Sequence, residues 1–392
     1  MRIKLAQDVI DFFRAKKKTS DKQKQKDDLA ELRKSYFYLL LDSLLKRDVN
    51  KNYDIYSGDT KKIAYTDKWV NYKYILNNDA FFPFSKNMPE IPTLIVLSGI
   101  WFGEQQLEAL YYAQYYNIPI LIMEDGFIRS ATTYADETKE DKFLQGISFN
   151  FDNLSAYFDA TAPSNLEQML NNKDLVLTQE QKLRARKLIN RIIETKLTKY
   201  NHQPIFTPNI GKNKKKVLVV DQSFGDMSIA RGGANEKTFK LMLEQAIQEN
   251  PDADIIVKTH PDTMTGNRGG YYTGLKEHDN IYTITEPINP ISLIQYVDKV
   301  YVCTTQFGFE ALMCNKEVVI FGLPFYAGWG LADERQALTR RTNKRTLEEV
   351  FYIAYIMYTK YFNPETKKEC EIEEAIDYLL KLREEYNEKY SK

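Results

Sequence analysis

From residue 93 onward the chain alternates short apolar runs with amphipathic stretches. "TLIVLSG" is an apolar run that ends at Gly99, "EQQLEALYYAQYY" follows with helical spacing, and "IPILIMEDG" returns as a strand. Alternation of this kind predicts a parallel sheet with helices on both faces. "SNLEQMLNN" and "TQEQKLRARKLINRIIETKL" read as further helices, the second opened by Thr178 and Gln181 at capping-box spacing. Residues 201–216, "NHQPIFTPNIGKNKKK", have prolines, asparagines and lysines but no apolar period, and read as a linker. A second strand–helix series follows in "KVLVVDQ", "KTFKLMLEQAIQ", "DIIVKTHPD", "NIYTITE", "ISLIQYV", "KVYVCTT", "FGFEALMC" and "EVVIFGLP". The pattern predicts a helical end, "TLEEVFYIAYIMYTKYF" and then "EIEEAIDYLLKLREEY".

The rhythm divides the chain into an N-terminal extension (1–92), a Rossmann-like domain (93–208), a second one (209–345) and C-terminal helices (346–392). Two Rossmann-like domains facing a cleft, with the C-terminal helices packing back on the N-terminal domain, is the α/β architecture called GT-B. In open α/β sheets ligands bind where the strands end. Architecture alone does not fix chemistry.

Composition narrows the partners. The 392 residues carry 54 basic and 54 acidic side chains, a net charge of zero that argues against a general nucleic-acid binder. Cys303, Cys314 and Cys370 have neither metal-type spacing nor a disulfide framework, which fits a reducing compartment. The first residues make a poor signal peptide, and no apolar run reaches the roughly 20 residues a membrane span needs. A cytoplasmic protein is expected, peripheral at the inner face of the membrane if the basic run Lys16–Asp28 meets anionic lipid. The same run also reads as a solvated helix or hinge. The 27 Tyr and 21 Phe suit a carbohydrate or membrane-surface partner and suit a Tyr-rich core equally.

Four segments put polar residues just past a predicted strand. Glu124, Asp125 and Arg129 follow "PILIM"; Asp221 and Asp226 follow "VLVV". Lys258, His260 and Asp262 follow "IIV", and Thr304, Thr305, Gln306, Gly308 and Glu310 follow "VYVC". Any one of these reads as a cap or turn former. Together they fit one reaction. The helix start at "QFGFEALMC" offers N–H groups to an anion, Lys258 and His260 add charge for a phosphate, and Glu310 suits a ribose diol. Carboxylates near Glu124/Asp125 and at Asp226 supply an acid/base and a nucleophile, a pair that retaining glycosyl transfer can use. Asp252–Asp254 matches an acid-x-acid pattern but precedes its strand, so it reads as a turn.

At "EDGFIRS", "DQSFGDMS", "KTHPD", "QFGFEAL" and "PFYAGWGLADER" the sequence resembles the capsule polysaccharide β-Kdo transferases of Gram-negative bacteria, the KpsC type. The likeness runs on through "RRTNKRTLEEVFYIAYIMYTKYFNPETKKEC" and implies a GT-B fold. It also implies a CMP-β-Kdo donor and retention of configuration with no metal or other cofactor. By the same resemblance Asp226 is the nucleophile and Glu124 the acid/base, with Asp125 the alternative at the turn before Gly126. His260 stands with them as a catalytic candidate. Lys258, Thr305, Gln306, Gly308, Glu310, Arg129 and Arg231 go to the donor, and Tyr326 and Trp329 either shape the cleft or form a structural loop. Kdo is a ketose with a carboxylate at its anomeric carbon, so cations must offset a nearby acid. The implied partners are an oligosaccharide or lipid-linked saccharide acceptor and a capsule biosynthesis complex, with no nucleic acid.

The chain departs from the family in having one module where the archetype has two, and residues 1–92 match no motif. Two rival readings stand beside this one. One is a transferase for another nucleotide sugar, CMP-sialic acid or a UDP-sugar. The other is a non-catalytic capsule assembly or export factor. A Rossmann oxidoreductase is disfavoured because no G-x-G-x-x-G follows either domain's first strand.

Overall fold

The computed structural model describes residues 34–35, 37–38, 40–41, 44–45, 55–57, 74–75, 94–100, 104–133, 139–212, 215–259, 269–275, 280–366 and 368–390. The basic run Lys16–Asp28 and both His260 and Asp262 lie outside them. Two compact units divide the chain: residues 1–123 with 152–154, and residues 124–151 with 155–392.

The first unit holds the parallel strands β1 (Ile55–Ser57), β2 (Tyr74–Ile75) and β3 (Leu94–Ser98). Strand β3 also pairs in parallel with the start of β4 (Ile120–Asp125), from Ile95↔Ile120 to Ser98↔Met123. Helix α1 (Glu104–Tyr116) makes the crossover. It buries Leu107, Leu110 and Ala113, three residues apart and so on one face. Asn117 ends it in the left-handed conformation at φ 57.

The second unit adds all but the last residue of β5 (Ser148–Asp152) and helices α2 (Asn165–Asn171) and α3 (Gln179–Thr195). The expected capping box of α3 is present: Gln181 N donates to Thr178 Oγ1 at 3.2 Å, and Thr178 N donates to Gln181 Oε1 at 2.8 Å. A wholly parallel six-stranded sheet follows. Its strands are β6 (Lys216–Val220), β7 (Asp254–Lys258), β8 (Ile281–Ile284), β9 (Lys299–Val302), β10 (Glu317–Ile320) and β11 (Asp333–Glu334). They lie in the order β8-β7-β6-β9-β10-β11.

The pleat sends successive side chains to opposite faces of this sheet. Leu218, Val220, Ile256, Val300 and Val302 therefore join one core, while Val217, Val219, Ile255, Val257 and Tyr301 join another. That two-sided burial is why the strands read as unbroken apolar runs. Helices α4 (Met227–Arg231), α5 (Glu236–Glu249), α6 (Pro290–Tyr296) and α7 (Phe307–Met313) link the strands.

The end of the chain is helical only in part. Helix α8 (Leu347–Phe351) passes into a π-helical stretch, Tyr352–Tyr358, and then "TKYFN" becomes strand β12 (Thr359–Asn363). This corrects the expected helix through Phe362. Tyr352, Ile353, Ala354, Tyr355 and Tyr358 are all buried, so the segment has no polar face whose period could mark its end. The Thr359 hydroxyl lies 2.7 Å from Asn150 Oδ1 and 2.8 Å from the Ala354 carbonyl oxygen, and it fixes the change of direction. Strand β12 pairs antiparallel with β5, Thr359 opposite Asn150, and with β13 (Lys368–Cys370). The last helix, α9 (Ile372–Tyr390), packs back as expected. Arg383 Nη1 donates to the Thr195 carbonyl at 2.7 Å, Arg184 pairs with Glu373 at 2.8 Å, and the rings of Phe143 and Tyr386 meet edge-on. No helix among the described residues is long and apolar enough to cross a membrane.

Candidate active site

Strands β6 and β9 are neighbours whose connections leave in opposite directions, which makes their carboxyl ends the switch point where such sheets bind ligands. One side chain bridges the loops there. Gln222 Nε2 donates to Thr304 Oγ1 at 3.0 Å, and Thr304 N donates to Gln222 Oε1 at 3.0 Å. Asp221 is buried and belongs to the scaffold. Its Oδ1 accepts from Gln222 N at 2.8 Å and Tyr271 N at 3.0 Å, and its Oδ2 from Tyr272 N at 3.1 Å. Burial pushes its pKa up against those backbone donors.

Asp226, by contrast, is exposed. It is the N-cap of α4, with Oδ1 accepting from Ser228 N at 2.9 Å. The cap reading and the nucleophile reading thus fall on one residue and do not exclude each other. The cap orients the carboxylate, and exposure leaves it accessible.

Glu124 and Asp125 close β4 with different surroundings. Glu124 is half-buried. Asp125 is buried against Arg129, Nε 2.9 Å from Oδ1, with Lys199 Nζ 4.0 Å from Oδ2. Arg129 is buried too, and its Nη1 donates to Ser130 Oγ at 2.8 Å and to the Leu144 carbonyl at 2.5 Å. Asp125 and Arg129 therefore hold the turn, and Glu124 is the more accessible acid. Arg231 is likewise engaged: Nη1 pairs with Asp159 at 3.0 Å and lies 3.2 Å from Thr161 Oγ1.

Sequence reasoning missed Tyr157 and Lys199. Burial pushes the Tyr157 phenol up to about 12; Lys199 opposes the rise, while Glu124, Asp125 and Asp226 add to it. One hydroxyl thus feels both catalytic candidates. Burial pulls the Lys199 ammonium down, but Tyr157, Asp125 and Glu124 outweigh it and hold it above the ordinary lysine value, against Arg129. Two tethers position this group. The Phe127 and Tyr157 rings meet 5.1 Å apart, and Ala160 N donates to the Arg231 carbonyl at 2.8 Å. No periodicity or spacing marks either residue, because they lie in irregular segments that only the fold brings together.

The remaining donor candidates divide between surface and core. Lys258 is buried at the end of β7, and its Nζ donates to the Thr259 carbonyl at 2.8 Å. Burial lowers its pKa to about 8, while Glu286 and Asp221 resist. Thr305 and Gln306 are half-buried at the start of α7. Gln306 Nε2 donates to the Phe127 carbonyl at 2.8 Å. Glu310 is buried on that seven-residue helix, and burial raises its carboxyl to about 8 while Gln306 opposes the rise. A Cβ at Gly308 would stand 2.2 Å from Tyr326 Oη, so glycine is needed there for packing. Tyr326 and Trp329 are fully buried; Tyr326 Oη donates to the Thr305 carbonyl at 2.6 Å and Trp329 Nε1 to the Phe325 carbonyl at 2.7 Å. Their loop is structural. Among the described residues no group of three or more His, Cys, Asp or Glu is arranged to hold a metal ion.

Residues 102–363 match the family described as capsule polysaccharide biosynthesis protein. The chain is 40% identical over 286 residues to the capsule polysaccharide modification protein LipA of Neisseria meningitidis serogroup A, a match covering 70% of this chain and 40% of LipA. It is 36% identical over 283 residues to the lipopolysaccharide-processing protein LpsZ of Rhizobium meliloti, covering 71% of this chain and 62% of LpsZ. It spans less than two thirds of either relative. Among solved structures it is similar to the Thermosulfurimonas dismutans KpsC beta Kdo 2,4 transferase, with a TM-score of 0.72 and 32% identity over 83% of this chain and 98% of that one. The beta Kdo 2,7 transferase of the same KpsC matches with a TM-score of 0.57 and 26% identity, over 84% and 99% of the two chains.

The two sheets with their helices thus make a GT-B-like α/β protein. More particularly, the chain belongs to the capsule polysaccharide biosynthesis protein family.

Proposed function

We propose that this chain is a retaining glycosyltransferase that moves β-Kdo from CMP-β-Kdo to a saccharide acceptor in capsule polysaccharide biosynthesis. The observation that carries the reading is the likeness to the KpsC beta Kdo 2,4 transferase across 98% of that chain. The site supports it with an exposed carboxylate at the switch-point loop and a half-buried one at the end of β4, both acting on the Tyr157 hydroxyl.

In this reading an Asp226 oxygen attacks the anomeric carbon of Kdo, and CMP leaves with the bonding electron pair. Lys258, still largely protonated at neutral pH, favours the phosphate as its charge grows. Glu124 then takes the proton of the acceptor hydroxyl as that oxygen attacks the same carbon and frees Asp226. Two displacements return the β configuration. No step is assigned to a metal or other cofactor.

The test is to incubate the protein with freshly made CMP-β-Kdo, without acceptor, and record its intact mass beside Asp226→Asn. One added Kdo mapped to Asp226 and absent from the variant is expected. No adduct, with no CMP released even when capsule-type oligosaccharides are supplied, overturns the donor assignment.

A further inference from the structure

A carboxylate nucleophile, a donor phosphate and a sugar carboxylate cannot share a site without cations. Of the three cations that the sequence assigns to this task, the two arginines are already paired and Lys258 is given to the phosphate, which leaves the sugar carboxylate to be matched. Arg129 is 1% exposed and 2.9 Å from Asp125. Arg231 is 12% exposed and 3.0 Å from Asp159. Lys258 is 7% exposed and bonded to its neighbour's carbonyl. Lys199 differs, with a side chain 31% exposed and its ion pair to Asp125 at 4.0 Å, facing a carboxylate that Arg129 already matches.

Lys199 is also held in place from the backbone. Its carbonyl accepts from Arg129 N at 3.1 Å and Ser130 N at 3.3 Å, and Asn201 N donates to the Ala131 carbonyl at 2.8 Å. That pairing fixes the segment beside the turn that follows Glu124. Tyr157 stands in the same group of charges, on a segment tied to Phe127 at one side and, through Asp159 and Ala160, to Arg231 of α4 at the other. Asp226 caps that same helix.

We infer that Lys199 and the Tyr157 hydroxyl form a specificity-determining pair that holds the carboxylate of the transferred sugar. The inference rests on the proposed reading, in which the sugar is an ulosonic acid. An ammonium and a neutral phenol are both donors, and together they present hydrogen bonds and one positive charge to a planar anion. Asp226, Glu124 and Asp125 repel that anion; Arg129 is matched to Asp125, so Lys199 supplies the attraction. A sugar with hydrogen in place of the carboxylate leaves the ammonium unmatched, and the pair discriminates against it.

The test measures CMP release from CMP-β-Kdo by the full chain, with CMP as competing inhibitor, for Lys199→Met, Lys199→Arg and Tyr157→Phe. Lys199→Met is expected to lower kcat/KM roughly 10- to 100-fold, the range of one charge-assisted hydrogen bond, with CMP inhibition unchanged within about twofold. Lys199→Arg is expected to recover part of the loss. Should Lys199→Met fail to fold, Tyr157→Phe carries the same comparison with a smaller loss. An active parent whose kcat/KM survives both changes overturns the pair and leaves the proposed function standing. So does CMP inhibition that weakens in step with kcat/KM. A parent that releases no CMP overturns the proposed function, and the pair with it.

Discussion

The Ser228 backbone N–H donates to Asp226 Oδ1 at 2.9 Å, and the Ser228 hydroxyl lies 3.3 Å from Thr304 Oγ1. The proposed nucleophile is therefore fixed to the switch-point loop by one residue that touches both. Asparagine caps helices about as well as aspartate, whereas alanine costs about 0.5–2 kcal/mol. Asp226→Asn is expected to keep the parent's melting temperature and lose transfer; Asp226→Ala is expected to lose both. Thermal unfolding beside CMP release checks this, and an Asp226→Asn protein that still transfers sugar would remove the nucleophile assignment.

Glu310 lies in the core with its carboxyl raised to about 8 from the ordinary 4.5, chiefly by burial. A folded pKa above the unfolded one contributes stability that is full below about 4.5 and is lost as pH rises through about 8. Glu310→Gln stays neutral, so it should gain on the parent between pH 5 and pH 9 by roughly 2–4 kcal/mol. Denaturant unfolding across that range measures the gain. Parallel curves for the two proteins would mean that water or a ligand reaches the carboxyl.

Lys258 is lowered to about 8, by burial first, with Glu286 and Asp221 resisting. Its ammonium is lost as pH rises through that value, so donor KM is expected to climb above pH 8. Lys258→Arg keeps its charge and should flatten the limb. The depressed pKa has the opposite sign for stability: the contribution is full above 10.5 and is lost as pH falls through about 8. A donor KM that ignores pH from 7 to 9 in the parent would separate Lys258 from the phosphate.

Glu167, buried on α2, pairs with Arg341 Nε at 2.9 Å, and Arg341 Nη1 donates to the carbonyls of Pro324 and Ala327 at 2.6 and 2.7 Å. This clamp holds the loop that carries Tyr326 and Trp329. Removing one partner strands a buried charge, so Glu167→Ala should cost about 3–5 kcal/mol. Chemical denaturation measures it; a loss under about 1 kcal/mol, the range of an exposed pair, would show that solvent enters.

The strands were legible because a sheet covered on both faces writes continuous apolar runs, as at Val217–Val220 and Ile255–Val257. Strand β12 was not, since its apolar surroundings begin within the preceding π-helical stretch and Thr359 turns the chain by contacts with residues far back in sequence. The site was legible to the same depth. Position after a strand put Glu124, Asp226 and Lys258 forward as candidates, and the structure sets them at or just past the carboxyl ends of their strands. It did not reveal that Arg231 is matched by Asp159, 72 residues away, or that Lys199 comes to stand beside Asp125. A polar residue's partners are a property of the fold, and adjacency along the chain does not carry them.

The Gln222 side chain both gives a hydrogen bond to Thr304 and takes one from it, as a peptide group does between strands. It is a surrogate rung, placed where β6 and β9 have ended and their loops turn apart. Glutamate would take but not give, and asparagine would fall short by one methylene. The spacing of these two loops is therefore set by the reach of a single amide.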